Sequence, residues 1–293
     1  MSTDRKQPDL SQLFRDGELK VSEEIVRKFR KSVPAEFEIA LARERAKKLE
    51  SVLSSVCPIF KGGSGLEQVG SGVLLQHLGA KILISAAHVF DDIPNHDALI
   101  PLVDCIGSVG GTLFIKKVES NEERADDKID IAFLVLDEES ASRLHSDFHF
   151  LPESHYLRRD NLTVGLSLIG YIAKQAEISG HTASATRSIF DSDLATAACY
   201  SALNRSRRTH IIGKFRRKKA KSFSHGGRRI QPRPFGMSGG GMFEWSIGKD
   251  EPHQLESPRL CGILTEYHES RDAFVGTSIE MVLEAIRFKI VGR

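Results

Sequence analysis

Short runs of apolar and β-branched residues recur along most of this 293-residue chain, and they constrain its fold more than any other feature. Glycine, aspartate and asparagine separate the runs, which include SVLSSVCPIF, SGVLLQHL, AKILISAAHVF, GGTLFIKKV, IDIAFLVLD and LTVGLSLIGYI. The same texture continues in THIIGKF, GGMFEW, RLCGILTEYH and DAFVGTSI. Regularly spaced short strands of this kind are typical of antiparallel barrels and sandwiches. The sequence therefore predicts a mostly β protein.

A helix is predicted at each end of the chain. The segment PAEFEIALARERAKKLE is rich in helix formers, and Pro34 stands where a proline favours the start of a helix. At the other end, SIEMVLEAIRFKI has apolar residues at helical spacing. Because the beginning of the chain is much more charged than the rest, we predict a charged helical extension over residues 1–50.

Composition limits the environment and the partners of the protein. Hydrophobic residues make up 40% of the chain, enough for a substantial core, and the formal net charge is only +2. That charge implies no general attraction to nucleic acid or membranes. No apolar run follows the charged amino terminus, and no stretch of about eighteen apolar residues occurs anywhere. We therefore expect a cytoplasmic protein that does not associate with membranes.

The cysteines and histidines indicate neither disulfides nor metal binding. Cys57, Cys105, Cys199 and Cys261 form no C-x-x-C pair, which favours reduced, buried thiols. Histidine and cysteine never cluster with the spacing of metal ligands. We predict no metal site and no cofactor.

One serine, Ser238, lies in the glycine-rich stretch PFGMSGGGMFEW. A serine hydroxyl is a poor nucleophile at neutral pH and needs a base, an orienting carboxylate and N–H donors for the developing oxyanion. Glycines let the backbone approach a substrate and adopt dihedral angles that strain other residues. The stretch fits a nucleophile loop with an oxyanion hole, although a short G-x-S-G-G match taken alone fits a glycine-rich turn equally well.

A candidate base and a candidate carboxylate lie earlier in the chain. His88 follows the strand-like run ILISAA, where the strand gives way to a turn. Asp130 stands directly before the apolar run IAFLVL, so its side chain could be partly buried, whereas we expect Asp126 and Asp127 to remain solvated. A carboxylate at that place could hold His88 in one tautomer and stabilise its imidazolium. Considered alone, Asp130 fits a strand cap as well.

The motifs SAAHV, DIAFLVL and GMSGGG, in the order His, Asp and Ser, resemble those of the chymotrypsin-like (trypsin-like) serine proteases. The resemblance extends from the end of the predicted N-terminal extension to the C-terminal helix. It implies a double antiparallel β-barrel, with His88 and Asp130 on a first barrel over residues 51–150 and Ser238 on a second over residues 151–293. It also implies a serine endopeptidase that cleaves a protein or peptide substrate through an acyl-enzyme intermediate.

The roles of the site residues follow from this resemblance, motif by motif. Ser238 would be the nucleophile, His88 the general base and then acid, and Asp130 the residue that orients His88. The backbone N–H groups of Gly236 and Ser238 would form the oxyanion hole.

Substrate-binding residues follow from the same resemblance. CGILTEY is similar to the family strand that pairs with substrate backbone, which places Thr265, Glu266 and Tyr267 along the cleft. Glu266 could attract a basic substrate group or could be a solvated strand residue. AFVGTSI would form another wall of the specificity pocket, where Phe274 would favour a small substrate side chain. Pro232 stands where trypsin has an acidic pocket residue, so cleavage after Lys or Arg is not expected.

The chain also departs from the secreted members of the family. Met237 replaces the aspartate that pairs in many of them with a newly cleaved amino terminus, so activation by that salt bridge is not expected. The residues around His88 and Ser238 lack stapling cysteines, and in this the chain resembles stand-alone intracellular bacterial trypsin-like peptidase domain proteins. We hypothesise regulated cleavage, for instance in bacterial stress or defence signalling, with an activating or inhibiting protein partner bound by residues 1–50.

An alternative interpretation is a protein with the same double-barrel fold and no catalytic activity. The basic run over residues 204–233 includes Arg216, Arg217, Lys218 and Lys219, which could contact nucleic acid or another acidic partner. Because few aromatic residues interleave with these cations, a solvated hairpin is favoured over a nucleic-acid site. A catalytically silent barrel would bind a protein or nucleic acid through this run. The complete His-Asp-Ser set favours the enzyme, since a binding module does not need all three residues.

Overall fold

The structure is a computed structural model, and it describes residues 35–63, 65–115, 123–156, 162–179, 182–215, 232–247 and 255–292. The chain divides into two compact units, Met1–Ala46 and Lys47–Arg293. The described part of the first unit is helical, and its helix begins directly after Pro34, where the sequence predicts a helix start. The last residues of this helix belong to the second unit, which contains every strand named below.

The elements of the described residues are as follows. The helices are α1 (Ala35–Leu53), α2 (Ala87–Asp91), α3 (Glu138–His145), α4 (Ala197–Ala202) and α5 (Ile279–Val291). The strands are β1 (Val56–Lys61), β2 (Glu67–His77), β3 (Ala80–Ala86), β4 (Leu99–Pro101), β5 (Ile106–Ser108), β6 (Gly111–Ile115), β7 (Ile131–Leu136), β8 (Leu162–Ser179), β9 (Thr182–Leu194), β10 (His210–Lys214), β11 (Gly241–Ile247), β12 (Arg259–His268) and β13 (Ala273–Ser278).

Strands β1 to β7 form an antiparallel sheet in the order β5-β4-β1-β2-β3-β7-β6, which makes a half-barrel. Its interior strands β3 and β7 consist mainly of apolar residues, which suit a sheet covered on both faces, and most of these residues are buried. The two strands pair from Ile82↔Val135 to Ala86↔Ile131. Helix α2 follows β3 without a gap, so His88 lies at the end of a rigid central strand.

Strands β8 to β13 close into a six-stranded barrel in the order β10-β13-β12-β11-β8-β9. Aromatic side chains fill its interior: the ring centroids of Phe190 and Phe215 are 4.7 Å apart, and those of Phe215 and Phe274 are 5.2 Å apart. Trp245 is fully buried and donates its indole N–H to Ser167 Oγ at 2.8 Å, which satisfies its polar atom. The barrel therefore has a closely packed core of its own.

Helix α5 follows β13 directly and lies where the sequence predicts a C-terminal helix. Ser278 caps its first turn by accepting the N–H of Met281, and Gly292 ends it in the left-handed region with φ 73°. The prediction of a mostly β chain with antiparallel sheets is confirmed, and the half-barrel with the closed barrel is consistent with a double-barrel architecture. The domain boundaries proposed at residues 50 and 150 stay predictions.

Two details of the sequence analysis are wrong. Asp127 is buried rather than solvated, because it accepts the backbone N–H of Ile129 and pairs with Arg124 at 3.2 Å. All four cysteines are free, but Cys105 is exposed instead of buried.

Candidate active site

The structure brings His88 and Asp130 into direct contact. His88 Nδ1 lies 2.6 Å from Asp130 Oδ2, and the backbone N–H of His88 donates to Asp130 Oδ1 at 3.0 Å. The backbone N–H of Ala87 also donates a hydrogen bond to the carbonyl of Asp130, at 3.0 Å. With its Nδ1–H donated to the carboxylate, the neutral imidazole keeps the lone pair of Nε2 for accepting a proton.

The backbone of Asp130 has an unfavourable conformation that the surrounding structure must stabilise. Its φ is +41°, in the left-handed region that costs a residue with a side chain about 1–2 kcal/mol. Two side chains of the closed barrel hold the chain just before it: His210 Nε2 donates to the carbonyl of Lys128 at 2.8 Å, and the hydroxyl of Thr277 donates to the carbonyl of Ile129. The position of the Asp130 carboxylate therefore depends on both sheets.

The electrostatics of the pair favour a charged imidazole. Burial alone would lower the pKa of His88, but the hydrogen bond and the charge of Asp130, with the charges of Asp92 and Asp91, outweigh it and raise the pKa above 6.5. His210 shows the opposite balance, because burial lowers its pKa more than its hydrogen bond to the Lys128 carbonyl raises it. His210 is therefore neutral near pH 7 and suited to its structural hydrogen bond.

Ser238 lies in the loop before β11, at the junction of the half-barrel and the barrel. Its carbonyl accepts the backbone N–H of Ser71 on β2 at 2.8 Å. A Cβ added to Gly70 would meet the side chain of Val89 at 2.6 Å and the Ser238 carbonyl at 3.2 Å, so the serine backbone lies close to the residue that follows His88. Ser238 is half-buried and His88 is 35% exposed, so both border solvent.

The residue after the serine must be glycine. Gly239 has φ +84°, and a Cβ there would lie 2.0 Å from both the Ser71 carbonyl oxygen and Ser85 Oγ. Ser85 is on β3, three residues before His88, so the loop that carries Ser238 lies against the strand that leads to His88. Among the described residues, the His88–Asp130 hydrogen bond is formed and the Ser238 hydroxyl makes none. Catalytic hydrogen bonds are often long in unliganded enzymes and shorten when substrate binds.

Within the described part of the chain, the N–H groups of Gly236 and Ser238 have no hydrogen-bond acceptor, and neither has that of Phe235. Met237 N–H, between the first two, donates to the Pro234 carbonyl at 3.1 Å, and Gly239 N–H donates to that of Leu264 at 2.7 Å. The donors of Gly236 and Ser238 are the pair that the sequence predicts for an oxyanion hole.

The orientation of these two donors is fixed through their peptide planes. The carbonyl of Phe235, which shares a peptide with the Gly236 N–H, accepts from Ala173 N–H at 2.8 Å. The carbonyl of Met237, which shares a peptide with the Ser238 N–H, accepts from Gly240 N–H at 2.9 Å. Since C=O and N–H of a planar trans peptide point in opposite directions, both donors point away from these bonds and are preorganised.

The side chain of Met237 packs into the interior of the closed barrel. Its side chain is 1% exposed and lies in the barrel core with Phe215, Phe274 and Leu264. Burial of this apolar side chain anchors the loop from inside the barrel, so the loop reaches its conformation with no charged partner for residue 237.

The predicted cleft residues on β12 are less available than their motif suggests. Thr265 lies at a bulge and is buried, with its hydroxyl donating to the Val275 carbonyl at 3.3 Å. Both carboxylate oxygens of Glu266 are bonded, one to Arg205 at 2.5 Å and the other to His268 at 2.6 Å. The side chain of Glu266 is therefore partly exposed, and its negative charge is compensated by these partners.

Tyr267 and Phe274 belong to the aromatic core of the barrel. Their ring centroids are 4.8 Å apart, and Phe274 is 2% exposed. Phe215 stacks at an angle against both rings. Pro232 is exposed and lies outside this cluster. The basic residues Arg216, Arg217, Lys218 and Lys219, and residues 1–34 of the N-terminal extension, lie outside the described residues.

Sequence reasoning missed three residues that join the two sheets at this site, Ser71, His210 and Thr277. It also missed Arg205, which pairs with Glu266 within the closed barrel. Ser71 carries one signal, because a glycine stands on each side of it in a strand. The other three lie in ordinary strand or loop sequences and become visible only through contacts with residues distant in the chain.

No protein-family model matches the chain, and no curated protein matches it at a significant level. Within the described ranges, no helix combines the length and apolarity that crossing a bilayer requires.

Proposed function

We propose that this protein is a chymotrypsin-like serine endopeptidase that cleaves peptide bonds with Ser238, His88 and Asp130. The observation that carries the proposal is the hydrogen-bonded His88–Asp130 pair at the same junction as a serine loop with two unbonded, preorganised N–H donors. Each feature alone occurs in structural settings. Their coincidence meets the requirements of acyl transfer: a base, an orienting carboxylate, a nucleophile and oxyanion donors.

The chemistry follows from these positions. Ser238 Oγ attacks the carbonyl carbon of the scissile bond while His88 Nε2 takes the hydroxyl proton, and Asp130 stabilises the imidazolium. The N–H groups of Gly236 and Ser238 bind the oxyanion of the tetrahedral intermediate. Collapse breaks the C–N bond, and His88 returns the proton to the leaving amine. A water molecule, deprotonated by His88, then attacks the acyl-enzyme and releases the acid and the serine hydroxyl.

Strand β12 supports binding of an extended peptide. Among the described strands, β11 pairs with β12 only over residues 259–263, whereas β13 pairs with it over residues 262–268. Leu264 is bonded through its N–H and its carbonyl to Gly240 and Gly239. The edge beyond residue 264 thus has no partner strand on this side, and an extended substrate could add to it as a further strand. The proposed cleft residues Thr265, Glu266 and Tyr267 would then act mainly through their backbone.

A small side chain before the scissile bond is the favoured specificity. Phe274, Tyr267 and Phe215 occupy the barrel interior beneath this edge, which leaves little volume for a large substrate side chain. Glu266 is paired with Arg205 and His268, so it offers no free charge to a basic one.

Cleavage of a defined peptide library tests this proposal. The purified full-length protein and its Ser238→Ala variant are incubated with the library, and new termini are identified by mass spectrometry. We expect cleavages by the wild type alone, enriched in alanine, serine or glycine before the cut bond. Cleavages that persist in the variant would exclude Ser238 as the nucleophile, and a preference for arginine or lysine would contradict the proposed pocket.

A further inference from the structure

Ser71, on β2 of the half-barrel, donates two hydrogen bonds to the serine loop of the closed barrel. Its side chain is completely buried. Its hydroxyl donates to the carbonyl of Gly236 at 2.8 Å and accepts the backbone N–H of Tyr171 at 2.9 Å. Its backbone N–H donates to the carbonyl of Ser238 at 2.8 Å, and its own carbonyl accepts the hydroxyl of Ser85 at 2.7 Å.

These bonds bracket the peptide that carries the Ser238 N–H. The carbonyl of Gly236 precedes that peptide and the carbonyl of Ser238 follows it, and Ser71 holds both. Because peptide groups are planar, fixing the planes on either side leaves the intervening plane little freedom to rotate. Ser71 therefore restricts the direction of the Ser238 N–H and the φ of +93° at Gly236 that directs the neighbouring donor.

The position of Ser71 is itself set by the strand that leads to His88. Ser71 pairs with Pro58 of β1 on one side, and Ser85 of β3 bonds to its carbonyl on the other. Gly239 approaches the same carbonyl so closely that any Cβ would collide with it. One buried residue thus connects the strand before His88 with the loop that carries Ser238.

We infer that Ser71 is a positioning residue for the oxyanion donors, an inference that rests on the proposed protease function. It is not a catalytic residue, because its hydroxyl is buried and already both donates and accepts a hydrogen bond. Ser71→Ala leaves the Gly236 carbonyl without its side-chain donor and the Tyr171 N–H without its acceptor. The Gly236–Met237 peptide then keeps only the bond from Met237 N–H to the Pro234 carbonyl at 3.1 Å, so its plane can tilt and misdirect the donors.

We expect Ser71→Ala to lower the rate of labelling and to leave the pH dependence that His88 sets unchanged. Displacement of reacting groups by about 1 Å can cost on the order of 100-fold, and loss of one oxyanion donor costs about 100- to 1,000-fold. Since Ser71→Ala misplaces donors without removing them, we expect about a 10- to 100-fold loss in the rate of reaction with a fluorophosphonate. The pH midpoint of that reaction should not move, because His88 and Asp130 keep their contacts.

The test compares second-order rate constants for fluorophosphonate labelling, as a function of pH, in the full-length wild type, Ser71→Ala and Ser55→Ala. Ser55 is the matched control, since it is also fully buried and its hydroxyl donates to a backbone carbonyl, that of Val52, away from the loop. We expect only Ser71→Ala to lose rate, at an unchanged pH midpoint and with a cooperative thermal transition retained.

The outcomes separate this inference from the proposed function. A folded Ser71→Ala protein that reacts at the wild-type rate, or equal losses in both variants, would overturn the role of Ser71. If Ser71→Ala does not fold, Ser71→Cys, which keeps a weak donor, decides instead: it must react more slowly than the wild type. Absence of labelling in the folded wild type refutes the protease proposal itself, and this inference with it.

Discussion

Replacing Asp130 by asparagine exchanges one carboxylate oxygen for an NH₂ group, and this tests whether Asp130 orients His88 as the base. The Asp130 carboxylate accepts two hydrogen bonds from His88, one from the backbone N–H at 3.0 Å and one at Nδ1 at 2.6 Å. Asparagine has one acceptor oxygen and one NH₂ group, so it can accept only one of them. If the amide oxygen keeps the backbone N–H, the NH₂ group faces Nδ1 and donates to it.

That arrangement reverses the tautomer of the imidazole. With Nδ1 as acceptor, the proton of neutral His88 lies on Nε2, which then cannot take the proton of Ser238. In the well-studied Ser-His-Asp proteases, the same substitution lowers the rate by about 10,000-fold, which corresponds to about 5 kcal/mol of transition-state stabilisation. The folded state should lose less, about 1.5–3 kcal/mol, which is the contribution of a hydrogen bond to a buried charged group.

The assay is the second-order rate constant for fluorophosphonate labelling, measured with urea unfolding of the same samples. Asp126→Asn is the matched control, because Asp126 is exposed in the same short segment. We expect Asp130→Asn to label about 10,000-fold more slowly and Asp126→Asn to label normally. We also expect the pH midpoint of residual labelling to fall, because Asp130 supplies the main contributions that raise the pKa of His88. A folded Asp130→Asn protein that labels within a few-fold of the wild type would refute the assigned roles.

Two further predictions concern pH and the loop glycine. Since His88 must be neutral to act as a base and its pKa is raised, labelling should increase with pH through a midpoint above 6.5, measured over pH 5–9; a midpoint below 6.5 would contradict the His88–Asp130 pairing. The raised pKa of His88 also stabilises the folded state. This contribution is fully present below pH 6.5 and is lost as the pH rises through the folded-state pKa, so the free energy of unfolding, measured at several pH values, should decrease over that range. Gly239→Ala should lower the free energy of unfolding by clearly more than Gly79→Ala, for which left-handed strain alone predicts a loss of about 1–2 kcal/mol. The reason is that a Cβ at Gly239 would meet backbone at 2.0 Å, whereas one at Gly79 would meet nothing within 4 Å. Equal unfolding free energies for the two alanine variants would show that the loop relaxes.

The strands and the main site residues are predictable because their signals are local. Apolar runs bounded by glycine and aspartate mark β3, β7 and β11, and the candidates His88, Asp130 and Ser238 stand at the ends of such runs. The strand pattern therefore places His88 at the end of β3 and Asp130 directly before β7, whereas Ser238 lies in the loop before β11.

The contacts that complete the site are not predictable in this way, because they join residues distant in sequence. Glu266 looks like a solvated strand residue until Arg205, 61 positions earlier, pairs with it. The support of Asp130 depends on the hydroxyl of Thr277, which is 148 positions from the carbonyl of Ile129. Asp127 is a different case, because its partners Arg124 and Ile129 lie in its own segment, and its polar neighbours give no sign of its burial. The long-range pairs depend on how distant segments of the chain pack together, which no local pattern encodes.

The most direct measurement is the site of covalent modification after the purified full-length protein reacts with a fluorophosphonate. Intact-mass and peptide mass spectrometry would locate the adduct, with His88→Ala measured in parallel to establish dependence on the base. The account predicts one adduct per chain, on Ser238, and its near-absence in the His88→Ala protein. A folded wild type that carries no adduct, or an adduct on another serine, would contradict the assignment of this junction as an active site.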